Sequence, residues 1–355
     1  LIQLLQGVTA LAEKYGSRLR APEGGFFSWR GEDLTLRYLN PPVEEPETSS
    51  LPPGFEDVVE KIRDGDLASD DEIQSALNRR VDELNAAPQE ELAGISPNQA
   101  ADLMRAGFGE TSPLRLADSL PADRLEGSAF LANARTFLNA LLETDGTSAT
   151  AAGNLKRAFV AEMLETMRFE EGYLDDLFRM NKVINEHDVG TLHVLRINLE
   201  VGGLLKRRKG HFSLTRKGKE LAKPEQAARL FAHLFRTYFG EFNITYRSRR
   251  ADDPSLQRVV PLLLWQIGAR AQAWISLREL ALQILPRRPD LPPPDEGLQW
   301  WQEESDLHWW VLRPLEEFGL LEMQDLRQED TWGWKPEKIH LRTTPLNEAF
   351  LRFEW

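Results

Sequence analysis

Cysteine is absent from all 355 residues, so disulfides, thiolate metal sites and thiol nucleophiles are excluded, and a reducing cytoplasm is the expected compartment. Long apolar runs are missing too. The longest, Val259 to Ile267, is broken by Pro261 and Gln266 and falls far short of the roughly 20 residues that span a bilayer. The amino terminus lacks the charged-then-apolar pattern of a secretion signal. Histidine is scarce, and the six, at 187, 193, 211, 233, 308 and 340, form no HExxH. No GxGxxG, GxxxxGK or GxSxG occurs. Gly202-Gly203 before a basic run resembles a phosphate loop, but it falls at a helix C-terminus, where the dipole repels anions. The expectation is therefore a protein without metal or cofactor, and not an enzyme.

What the chain has is ordinary globular composition, 41% hydrophobic and 28% charged, enough for two or three domains. Its net charge of −13 argues against nucleic acid until its distribution is read. From Val201 to Arg250, 13 Lys and Arg stand against 3 acids, a local net of +10 that leaves −23 on the remainder. Residues 51 to 100 hold 4 basic and 12 acidic side chains. Positive potential is thus concentrated in one region.

That region begins in LHVLRINLEVGGLLKRRKGHFSLTRKGKEL, Leu192 to Leu221. Leu192, Leu195 and Leu199 recur at helical spacing, widened by Val194, Ile197 and Val201. Gly202-Gly203 ends the helix, Leu204 and Leu205 open a strand that turns charged at Lys206 to Lys209, and Gly210 permits a tight turn. His211 to Leu214 alternate as the return strand, and Thr215 caps a second helix. Helix, two-stranded wing, helix is the order of a winged-helix module, and the stretch resembles that superfamily. Upstream, Gly127 to Leu142 and Asn154 to Met167 carry helical stripes, with Asp188 as a candidate cap for a helix beginning at Val189.

The end of the chain repeats this pattern. Leu199-Glu200-Val201-Gly202-Gly203-Leu204-Leu205 matches Leu315-Glu316-Glu317-Phe318-Gly319-Leu320-Leu321 at Leu, Glu, Gly, Leu and Leu. Thr215, Gly218 and Leu221 correspond to Thr344, Asn347 and Phe350. The second copy has a longer wing, Glu322 to Lys338, and Pro314 interrupts its helix at a cost of about 3 kcal/mol unless the helix kinks.

Elsewhere, Leu1 to Tyr15 reads as a helix, Phe26 to Trp29 with Leu34 to Tyr38 as a hairpin, and the proline-rich Asn40 to Gly54 as a linker. Phe55 to Ile62, Asp71 to Leu84 and Pro97 to Ala106 read as short helices with acidic outer faces. Asp70, Asp71 and Glu72 suit a helix start better than a calcium loop. Glu225 to Phe242 bears an aromatic stripe too broad for a surface helix, which places it between two domains. Val259 to Ser276 is another apolar helix, and Arg287 to Pro294 a connection. Trp300-Trp301 and Trp309-Trp310 could offer an aromatic platform, but Glu303, Glu304 and Asp306 would repel phosphates, so an interface is the better reading.

The fold class is mainly α with small β wings: tandem winged-helix modules plus an N-terminal helical region. The expected divisions are 1–54, an N-terminal helix, hairpin and linker; 55–119, an acidic helical region; 120–224, the first winged helix; 225–258, a connecting aromatic helix and basic segment; and 259–355, the second winged-helix-like domain. A DNA-binding winged helix sends its third helix into the major groove and its wing toward phosphates. Lys206, Arg207, Arg208, Lys209, Arg216, Lys217 and Lys219 would then meet the backbone. His193, Arg196 and Asn198 would meet base edges, with Arg196 the candidate guanine reader. Glu186 and Asp188 stand against that at the helix start. The alternative is a protein-protein interaction scaffold, so the expected partner is DNA or another protein, with no membrane. ISPNQAADLM, TSATAAGNLKRAFV and GGLLKRRKGHFSLTRKG, within Ile95 to Leu221, are similar to an uncharacterised group of bacterial proteins often encoded on plasmids or genomic islands. That resemblance implies no activity and no site residues.

Overall fold

The computed structural model describes residues 25–30, 33–38, 54–67, 69–246, 255–285, 298–326 and 334–355, with 25–30, 33–38, 255–256 and 298–302 described as backbone only. The expected helix at Leu1 to Tyr15, the linker up to residue 53, the Arg287 to Pro294 connection and the rings of Trp300 and Trp301 lie outside this. The chain divides into two compact units, Leu1–Gln89 with Gly94–Asn98, and Glu90–Ala93 with Gln99–Trp355.

In the first unit β1 (Gly25–Arg30) and β2 (Asp33–Tyr38) pair antiparallel as the hairpin anticipated from sequence. Helices α1 (Glu56–Arg63) and α2 (Asp70–Ala86) follow. Ser69 closes a capping box with Glu72, so Asp70, Asp71 and Glu72 occupy a helix start, where the backbone N–H groups favour negative charge. Arg80 on α2 donates to the Gly54 carbonyl at 2.5 Å and faces Asp57 at 3.6 Å, joining the two helices.

The second unit is mainly helical. After α3 (Pro97–Ala106) and β3 (Leu114–Leu116), α4 (Ala129–Glu143) is capped by the Ser128 hydroxyl, which accepts from Leu131 N–H. Then come β4 (Thr147–Ser148), α5 (Arg157–Thr166), α6 (Tyr173–Met180), α7 (Gly190–Val201), β5 (Leu205–Arg208), β6 (His211–Leu214) and α8 (Arg216–Leu221). The strands form a three-stranded antiparallel sheet in the order β4-β6-β5. Helix α7 starts at Gly190 with Val189 at its N-cap, so Asp188 does not cap it. Its carboxylate accepts instead from Asn185 N–H at 2.8 Å.

Helix α9 (Ala227–Arg236) runs into a π turn, Thr237–Glu241. Next come α10 (Ser255–Arg270), β7 (Ile275–Ser276), α11 (Leu277–Ile284), α12 (Leu298–Leu307), a second π turn (His308–Leu312), α13 (Arg313–Glu317), β8 (Leu321–Asp325), β9 (Ile339–Thr343) and α14 (Pro345–Phe350). The helix expected to run to Ser276 ends at Arg270, because Ile275 and Ser276 pair with Leu341 and His340 and the Ser276 hydroxyl caps α11. The second sheet has the order β7-β9-β8, matching the first strand for strand. Pro314 lies two residues past the second π turn, the wide turn of a kind that absorbs a disrupted backbone ladder. Strand β10 (Leu351–Phe353) pairs with β3, an element with no counterpart in the sequence reading.

The two sheets share a hydrogen-bonded turn. Leu204 N–H donates to Leu199 O at 2.9 Å and Leu320 N–H to Leu315 O at 2.8 Å; Gly203 and Gly319 donate to Glu200 O and Glu316 O at 3.0 and 2.7 Å. Both glycines take the left-handed backbone, with φ of 70° and 78°. The Thr215 and Thr344 hydroxyls then donate to Gly203 O and Gly319 O at 2.7 and 2.6 Å.

Helix α9 lies between these halves. Its Phe231 and Phe235 meet Phe318 at 5.7 and 5.2 Å and Phe350 at 4.6 and 5.1 Å, while Phe318 stacks on Phe130 of α4 at 4.4 Å. Phe231, Phe235, Phe239, Phe318 and Phe350 have no exposed surface, which locks the halves into one core. Replacing Phe318 with Ala should cost about 3 to 5 kcal/mol, read as a lowered denaturant midpoint. A loss under about 1 kcal/mol would show that the cluster does not join them.

Candidate nucleic-acid interface

The β5–β6 ribbon is a tight hairpin. Arg208 pairs with His211, and the two turn residues, Lys209 and Gly210, take φ of 51° and 74°. Two positive φ values match the right-handed twist of the flanking strands. Pleating sends Phe212 into the core, fully buried, and turns Lys206 and Arg208 to the opposite, exposed face.

Behind the ribbon, α8 is held close. A Cβ on Gly218 would sit 2.2 Å from the Leu204 carbonyl, so only glycine allows the approach. The Thr215 hydroxyl accepts from Gly218 N–H at 3.0 Å and fixes the helix start. Lys206, Arg216, Lys219 and Lys223 consequently surround a shallow concavity floored by Leu214, with Glu220 on its rim. Glu220 engages Lys223 at 2.6 Å, and Asp145 stands 3.9 Å from Lys219; both pairs are exposed and therefore weak. Lys217 reaches back toward the Gly202 carbonyl at 3.4 Å.

All seven residues assigned to phosphates are exposed: Lys206, Arg216 and Lys219 line the concavity, Arg208 and Lys209 lie at the ribbon's end, and Lys217 turns back toward Gly202. Arg207 differs. Its guanidinium donates to Gly153 O at 2.9 Å and lies over the Phe212 ring at 6.0 Å, so it anchors the ribbon.

The three residues assigned to base edges are placed differently again. Arg196 is 7% exposed and Asn198 fully buried, while His193 is half-buried. Arg196 and Asn198 thus turn inward, and His193 is partly covered. The cause is Glu186, which has no exposed surface. Arg196 Nε donates to its Oε1 at 2.6 Å, His193 Nδ1 lies 2.7 Å from the same oxygen, and Leu155 N–H donates to Oε2. Arg196 also pairs with Glu200. Helix α7 is then covered from outside. Gly202 packs against α9, with His233 Nε2 at 2.7 Å from Gly202 O, and the Tyr246 hydroxyl lies 3.4 Å from His193 Nε2.

Burial alone would raise the Glu186 pKa, but the hydrogen bonds from His193 and Leu155 N–H and the charge of Arg196 bring it below 4.5. Burial depresses the His233 pKa below 6.5, partly offset by the Gly202 carbonyl.

The second ribbon, β8–β9, carries no comparable run of cations: its strands hold Glu322 and Asp325 against Arg342. Arg342 pairs with Glu322 at 2.7 Å and stacks over Trp274 at 4.7 Å. Trp309, expected to fill an interface, is 56% exposed beside His308 within the π turn. Among the described residues no group of three or more His, Asp or Glu is placed to hold a metal, and no helix is long and apolar enough to cross a membrane.

The family described as the Y4jL N-terminal domain matches residues 126–229, from just before α4 into α9, and so takes in the first sheet and its cationic ribbon. The chain is also 28% identical over 197 residues to the uncharacterised protein y4jL of Sinorhizobium fredii (strain NBRC 101917 / NGR234), covering 54% of this chain and 88% of that one. Both support an uncharacterised bacterial family. No solved structure matches.

The buried carboxylate generates a stability prediction. A Glu whose folded pKa is depressed stabilises the fold above its unfolded pKa, and that contribution is lost as pH falls through the folded value. Glu186→Gln should therefore flatten the decline of stability below about pH 4.5 while lowering stability at neutral pH. Arg196→Ala, which leaves the carboxylate buried without its cation, should cost about 3 to 5 kcal/mol by urea unfolding at pH 7. A neutral outcome for Arg196→Ala would sink the internal role given to it.

Proposed function

We propose that this chain carries two winged-helix modules and binds nucleic acid through the first, by contacts of the β5–β6 ribbon and α8 with phosphates. One observation carries the reading: Lys206, Arg208, Lys209, Arg216 and Lys219 stand exposed on the β5–β6 ribbon and the adjoining α8, with Lys206, Arg216 and Lys219 around one concavity, in a chain whose net charge is −13. Concentrating cations so locally opposes the field of the whole molecule, and the return for that is attraction of a polyanion. Phosphate contacts of this kind position a protein on nucleic acid and supply salt-dependent affinity. The second ribbon, with Arg342 paired to Glu322, takes no comparable part. The activity is binding, with no enzymatic step.

A second reading, an interaction scaffold, is favoured by the inward orientation of Arg196 and Asn198, which spends the third helix of the module on packing. Titrating a labelled duplex by fluorescence anisotropy over a salt series separates the two. Four to six phosphate contacts give a slope of about −4 to −5 in log K against log salt. The triple variant Arg208→Ala, Lys209→Ala, Arg216→Ala should flatten that slope by about 2 to 3 while the thermal midpoint stays in place, since exposed substitutions of this kind move stability by only about ±0.5 kcal/mol. Absence of binding at low salt would remove the first reading in favour of the scaffold.

A further inference from the structure

We infer, on the basis of that proposed phosphate-binding surface, that its ligand is double-stranded DNA held without regard to sequence: the wing leads and no helix enters the groove. Sequence is read when side chains reach base edges, and phosphate contacts carry none of that information. In a winged helix the reading belongs to the third helix, here α7. Leu192, Val194, Leu195, Arg196, Asn198 and Leu199 are buried on it, and Gly190, Thr191, His193, Ile197 and Glu200 are partly covered. Val201, at its end, is 42% exposed and offers a base edge no hydrogen bond.

The closure is built in from both sides. Glu186 holds Arg196 and His193 from within. On the other side Gly202 meets α9 and its π turn so closely that a Cβ there would lie 2.8 Å from Thr237 Oγ1 and 2.9 Å from His233 Nε2. Opening this face for a major groove would strip the cation from a fully buried carboxylate, so the helix stays where it is.

The choice of duplex over single strand rests on what the cationic surface lacks. Proteins that hold single strands interleave cations with exposed aromatic rings on which bases stack. From Leu205 to Lys223 the one Phe, Tyr or Trp is Phe212, and it is fully buried under the ribbon. What remains is two charge clusters: Lys206 with Arg216, Lys219 and Lys223 at the ribbon's base, and Arg208 with Lys209 at its tip. Three residues of strand separate Lys206 from Lys209, roughly 10 Å. With the reach of the flexible Lys and Arg side chains added, the two clusters can meet phosphates on either side of a groove about 6 to 12 Å wide.

The test uses the full chain and labelled 20-base-pair duplexes of four unrelated sequences, with each corresponding single strand, at one low salt concentration. The expected result is duplex affinities within about threefold of one another and single strands at least tenfold weaker. A duplex preferred by more than tenfold, or single strands bound as tightly, would overturn the sequence-independent duplex assignment and leave the phosphate-binding surface standing. Failure of every probe would instead remove the phosphate-binding reading itself, and this assignment with it.

Discussion

A carboxylate with no contact with solvent must have its charge balanced and its oxygens satisfied, or the fold around it does not hold. Glu186 is that group. Its oxygens take Arg196, His193 and the Leu155 N–H, so the helix bearing the first two is fixed against the segment bearing the third. The consequence reaches the surface. Once Arg196 and His193 are committed inward, α7 has little left to offer a ligand, and the exposed cations of the ribbon and α8 become the groups that can meet one.

The same economy explains the two sheets. Each requires a helix to stop, the chain to reverse, and a leucine to enter a strand within a few residues. A left-handed glycine with a Thr hydroxyl donated onto its carbonyl solves this at Gly203 and again at Gly319. Identical turns do not make identical surfaces. On the first ribbon the outward positions hold cations; on the second Arg342 finds Glu322 across the strand pair and the charge cancels locally. Backbone demands fix the turn, while the side chains facing solvent are left open to serve different ends.

This division governs what could be read from sequence. The ribbon, its turn at Lys209-Gly210, the capping by Thr215 and the exposed cations were legible because each depends on residues near one another in the chain. The inward course of Arg196 and Asn198 was not. Helical spacing places His193, Arg196 and Asn198 off the main leucine stripe and suggests an open face, but what covers that face, α9 and Tyr246, makes its contacts across 31 and 53 residues of chain. One signal is present: an acid, Glu186, ahead of a helix with His and Arg 7 and 10 residues further on, looks hostile to DNA but is their partner. Helix α6, with only eight residues, and the pairing of β10 with β3 across the length of the second unit also escaped, the first for brevity and the second because its partner is so remote.

The aromatic core gives the arrangement its mechanical sense. A ribbon that meets phosphates through flexible Lys and Arg gains little from shape unless the ribbon itself is held, since every disordered contact must be ordered on binding. Here Arg207 ties the ribbon to Gly153 and to Phe212, and Phe212 is sealed in the first core. That core is joined through Phe130 to Phe318, and through Phe318 to Phe231 and Phe235. The second sheet thus acts as a buttress for the charged first one: holding the first core needs apolar contact on its inner side and nothing basic on its outer one.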